Sequence, residues 1–97
     1  MRLLILLYSG PRTEGVHTAR ELAAAALRKG HEVSVFLAGE GTFHVDALAP
    51  MRRAGARVVF CSADAAVRGW DRPGTPGRGS FVDLGDLAAD ADHVVSL

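Results

Sequence analysis

The segment Leu3-Leu4-Ile5-Leu6-Leu7-Tyr8 is apolar at every position and stops at Ser9-Gly10-Pro11. A strand with one wet face alternates apolar and polar side chains, whereas a run without alternation has to be covered on both faces. Residues 2–8 therefore read as a central strand of a parallel sheet, with helices above and below. The period then changes. From Thr13 onward, Val16, Ala19, Leu22, Ala23, Ala26 and Leu27 recur at three- and four-residue spacings, which gathers them on one helix face. Arg28 and Lys29 suit the negative end of that helix, and Gly30 is a natural left-handed stop.

The same punctuation continues along the chain. Val33–Ala38 reads as a second buried strand ended by Gly39-Glu40-Gly41, and residues 46–54 as a short helix ended by Gly55. Arg57–Phe60 reads as a third strand and residues 63–68 as a helix ended by Gly69. Trp70–Ser80 holds two prolines and three glycines and reads as a loop. Phe81-Val82 predicts a brief fourth strand, residues 83–90 a last helix, and His93–Leu97 the closing strand. This alternation predicts an α/β fold: a single three-layer domain over residues 1–97, with a mostly parallel five-stranded sheet flanked by helices.

Ninety-seven residues are enough for one core and not for two. Hydrophobic residues at 48% and charged residues at 23% belong to a folded globular chain rather than a disordered one. Eleven basic and eleven acidic residues cancel, so no net field draws the chain to nucleic acid or an anionic membrane. A single cysteine rules out an internal disulfide and a multi-cysteine metal site, and a lone thiol fits a reducing compartment. Arg2 and the apolar run have the outline of a signal peptide, but the run is short and no small-x-small cleavage site follows. The expected location is cytoplasmic.

Open parallel sheets bind ligands beyond the carboxyl ends of their strands. Here those ends are Tyr8-Ser9-Gly10-Pro11, Ala38-Gly39-Glu40-Gly41 and Cys61-Ser62. His31 and His93 begin strands and fall at the opposite edge, as surface or structural residues. For Cys61 two readings stand side by side. After Val58-Val59-Phe60 it fits a small buried hydrophobe. It also closes a strand at the functional edge and opens a helix whose amides stabilise a thiolate, with Ser62 offering a backbone amide. Arg68 is two turns further on, so it faces back only if the helix curves or the loop folds over. Gly10 and Pro11 begin a strand-to-helix loop suited to an anion, without a Walker A pattern or a full G-x-G-x-x-G. Gly39-x-Gly41 is too short for a nucleotide fingerprint. His17 and His44 are candidate proton donors near the same edge. No H-x-x-x-H or H-E-x-x-H pairs them, so no metal site is expected. Glu40 and Asp64 are candidate acids or bases, although solvated surface charges explain both equally.

Several segments in order resemble the DsrE/DsrF-like (TusD-like) family of small sulfur-relay proteins, across nearly the whole chain. Ser9-Gly10-Pro11 with Gly15 is similar to the family's first loop, and Gly30-His31-Glu32-Val33 to its second strand entry. Gly39-Glu40-Gly41 stands at the family's acidic-glycine turn, with Thr42 in place of valine. Cys61-Ser62-Ala63-Asp64-Ala65-Ala66-Val67-Arg68-Gly69 resembles the family's cysteine, alanine-rich turn and Arg-Gly. Ser80–Leu87 and Ala91–Val95 resemble its close. The resemblance implies that Cys61 accepts sulfur as a persulfide and passes it on; Ser62, Arg68, Gly10, Pro11, His17, Glu40, Gly41 and His44 are the candidate supporting or binding residues beside it. It implies no cofactor, and sulfur-donor and sulfur-acceptor proteins as partners. It also implies a homo-oligomer, trimer or hexamer, or assembly with homologous subunits.

On this reading the chain is a protein-to-protein carrier, at most a sulfurtransferase, rather than an enzyme turning over a small molecule. The rivals are a non-catalytic binding or assembly subunit on the same fold, and a redox sensor in which Cys61 forms a sulfenic acid. Nucleotide binding comes last.

Overall fold

The computed structural model describes residues 1–97. The chain runs β1 (Arg2–Leu7), α1 (Gly15–Arg28), β2 (Glu32–Leu37), a 3₁₀ helix (Gly39–His44), α2 (Ala49–Arg53), β3 (Arg57–Cys61), α3 (Ser62–Val67), β4 (Arg78–Gly79), α4 (Phe81–Asp90) and β5 (His93–Ser96). The five strands form one sheet in the order β4-β3-β2-β1-β5, and every neighbouring pair is parallel. No helix is long and apolar enough to cross a membrane.

The non-alternating run of β1 is explained by two unequal cores. Ile5 and Leu7 of β1, Val33, Val35 and Leu37 of β2, and Val58 and Phe60 of β3 face α1, α2 and α3 in a cluster of thirteen buried residues. Leu4, Phe36, Ala38, Val59 and Cys61 point the other way and form a cluster of five, covered by Leu84, Leu87 and Ala91. Handedness accounts for the imbalance. The connections from β1 to β4 all step in one direction across the sheet, so right-handed crossovers put them on one face. The return from β4 to β5 steps in the opposite direction and must cross the other face. α4 crosses it alone.

α1 ends in a Schellman arrangement: the Gly30 amide donates to the Leu27 carbonyl and the His31 amide to that of Ala26, both at 3.0 Å. Gly30 has φ +81°, the left-handed value that this stop requires. Two boundaries differ from the sequence reading. The helix expected over residues 46–54 is only Ala49–Arg53, because Pro50 is tolerated in a first turn but not in a helix interior. The fourth strand is Arg78–Gly79 rather than Phe81-Val82, which instead open α4. Ser80 decides this. Its hydroxyl accepts from the Val82 amide at 3.2 Å, while its own amide donates to the Asp83 carboxylate at 2.8 Å.

The segment between α3 and β4 is held by side chains. Arg52 Nη2 donates to the carbonyls of Val58 and Pro76 at 2.8 and 3.1 Å. Arg78 donates to both carboxylate oxygens of Asp71, at 3.0 and 2.9 Å. Those hydrogen bonds hold the Asp71 carboxyl below the usual aspartate value. The contact is therefore complete above the ordinary aspartate range and is lost as the pH falls through the lowered value. An NMR titration of its carboxyl carbon should show Asp71 titrating below the usual aspartate value, with the shift abolished in Arg78→Ala. Gly41 is buried, and a Cβ there would collide with the main chain at Leu7 and Tyr8. Gly41→Ala should cost about 1–3 kcal/mol in urea unfolding, as overpacking against a surface that cannot yield.

Candidate functional site

Three carboxyl-edge segments close on one another. The Gly39 amide, at the entry to the 3₁₀ helix, donates to Asp64 Oδ2 at 2.7 Å and so ties the end of β2 to α3. Gly41 lies against the backbone of Leu7 and Tyr8, and the Glu40 side chain lies against Gly10. His44 is 6% exposed, and its Nε2 is 3.1 Å from the Ser9 carbonyl oxygen, so that nitrogen carries a proton and donates. The Gly10 carbonyl accepts from the Thr13 amide and hydroxyl at 3.2 and 3.0 Å, closing the first loop on itself.

Cys61 is the last residue of β3 and the N-cap of α3. Its Sγ accepts from the Asp64 amide at 3.4 Å. Asp64 thus contributes all its groups: its amide to the sulfur, its carboxylate to Gly39, and its carbonyl to Arg68 Nη1 at 3.1 Å. It is a half-buried joint between β2, β3 and α3 rather than a fully solvated charge. Arg68 does fold back along α3, bringing Nη2 to 3.9 Å from where a Cβ on Gly39 would stand. The thiol itself is buried, Cys61 being 1% exposed, on the sheet face of Phe36, Ala38 and Val59.

The other residues named from sequence divide by position. Ser62 is half-buried at the start of α3, and the amide on the sulfur is that of Asp64. Gly10, Glu40, Gly41 and His44 share the contacts above, and Pro11 is exposed beside them. His17 is exposed on α1 and takes part in none of these contacts. His31 lies at the opposite edge, its Nδ1 3.1 Å from the terminal amine, and His93 begins β5 there. No three metal-ligating side chains come together. A cleft of about 540 Å³ opens at the carboxyl edge between Phe43, Asp46, Trp70 and Arg72, and Cys61 is not among its walls. Sequence reasoning missed the joint role of Asp64, because its partner Gly39 is 25 residues away and no local pattern couples them.

The profile of the DsrE/DsrF-like family matches residues 1–97. The chain belongs to that family. Its fold is also that of a solved DsrE-like structure, the YchN protein from E. coli, with a TM-score of 0.84 at 17% identity over 100% of this chain and 99% of that one. No curated protein matches the chain in sequence. In this DsrE-family chain, removing the Asp64 carboxylate leaves the Gly39 amide without its partner. Asp64→Ala should therefore destabilise the fold by about 1–3 kcal/mol, and Arg68→Ala by less, as measured by urea unfolding.

Proposed function

We propose that the chain is a sulfur carrier in which Cys61 is the site of a transient persulfide. What supports this is the position of its only cysteine in a chain of a sulfur-relay family: at the carboxyl end of β3, with a main-chain amide on the sulfur. The Cys61 thiolate attacks the outer sulfur of a donor protein's persulfide, forming a new S–S bond and releasing the donor as a thiolate. An acceptor thiolate then attacks the outer sulfur on Cys61, and Cys61 departs as a thiolate. Each step exchanges one S–S bond for another, so no external oxidant or reductant is consumed. With no second cysteine in the chain, the persulfide has no intramolecular thiol to resolve it. Arg68, which folds back along the same helix, adds positive charge to this edge. Partners are donor and acceptor proteins, and assembly is with copies of this chain or homologous subunits.

The burial of Cys61 favours a second reading, in which the thiol is structural and the chain is an assembly subunit. One experiment separates the two. After incubation with a cysteine desulfurase and cysteine, intact mass should show one added sulfur on the wild type, removed by reductant, and none on Cys61→Ser. An unchanged wild-type mass, with Cys61→Ser assembling normally, establishes the subunit.

A further inference from the structure

Transfer in either direction requires a second sulfur to approach Sγ in line, yet Cys61 is 1% exposed. We propose that β4 and α4 form a lid, and that Cys61 reacts only through a local opening in which this segment leaves the sheet while β1, β2 and β3 stay folded. The inference rests on the carrier reading for its purpose, but it is tested independently of it.

Four observations carry it. α4 is the only helix on the sheet face that Cys61 occupies, and its Leu84 and Leu87 pack against the buried cluster to which Cys61 belongs. α4 is weakly held, while β4 keeps Arg78 on Asp71: no residue of α4 is buried, Phe81 is 54% and Val82 73% exposed, and Phe81 meets the sheet as a tilted ring 5.9 Å from Phe36. β4 pairs with β3 at only two positions, Phe60 with Arg78 and Cys61 with Gly79, so the strand that leaves is the one alongside the thiol. The far end is anchored, since the Asp92 carboxylate and amide bond the Arg2 amide and carbonyl at 2.7 and 2.8 Å. That places the hinge at Ala91-Asp92. Segments with few buried apolar contacts are the ones that open below the free energy of global unfolding. The larger core on the other face is untouched by the motion.

Reaction with DTNB reads the opening directly. The Cys61 thiolate displaces an aryl thiolate from the reagent and keeps the other half as a mixed disulfide, and the released chromophore counts each event. Two substitutions alter the lid without touching the thiol. Gly85 is an exposed interior position of α4 with nothing within 4 Å of an added Cβ. Gly85→Ala strengthens the helix and should slow the reaction about fivefold. Ser80→Ala removes the cap and should speed it about fivefold. The wild-type rate should be nearly flat in urea below the global transition. Three outcomes overturn the lid: a native rate equal to that of the unfolded chain, rates indifferent to both substitutions, or a urea dependence as steep as that of global unfolding. Sulfur loading on the same variants keeps the two ideas apart. Opening without loading leaves the lid and removes the carrier, whereas loading at a rate neither variant changes leaves the carrier and removes the lid.

Discussion

Right-handed crossovers impose a division of labour on this sheet. Three connections step from β1 towards β4 and share one face, where α1, α2 and α3 build the larger core. The fourth connection has to carry the chain back past β3, β2 and β1 to reach β5, and it can do so only across the other face. One ten-residue helix therefore covers what three connections cover opposite. Side chains of β3 alternate, so Phe60 falls to the crowded face and Cys61 to the sparse one. A shift of one residue in β3 would bury the thiol under α3 and Trp70 instead.

Cohesion at the carboxyl edge comes from main-chain groups more than from charges. The Gly39 amide is satisfied by the Asp64 carboxylate, and the Asp64 amide by the sulfur of Cys61, three residues earlier. Buried polar groups left without partners are costly, which is why a carboxylate sits there rather than pointing to water. Gly41 serves the same edge by absence, since only a residue without a side chain lets the 3₁₀ helix rest on the backbone at Leu7. His44 then ties that helix to Ser9.

How much of this was legible follows from the range of each signal. β1 and α1 announce themselves through periodicity and a glycine stop, both local, and the parallel α/β architecture follows from their alternation with later strands. β4 is not legible because two residues carry no period. Its position is set from outside, by the Phe60 amide donating to Gly77 and by Arg52 on Pro76. The start of α4 carries a local signal that competes with another: Ser80-x-x-Asp83 ahead of an apolar stretch is a capping box, and it outweighs the β preference of Phe81-Val82. Cys61 is legible as a candidate with two readings, a buried hydrophobe and a reactive thiol, and its 1% exposure is set by tertiary packing that no local pattern carries.

Burial and transfer are compatible if loading and opening are coupled. A persulfide adds a sulfur atom where Cys61 is already buried, on the face of Phe36, Ala38 and Val59. Adding atoms to a filled core site costs about 1–3 kcal/mol, and the element with least holding it is the one that yields. On the proposed reading the loaded thiol therefore favours the open lid. Linkage is reciprocal, so anything that lifts α4 must favour loading by the same factor. The unloaded thiol would otherwise stay shielded from oxidation beneath the helix.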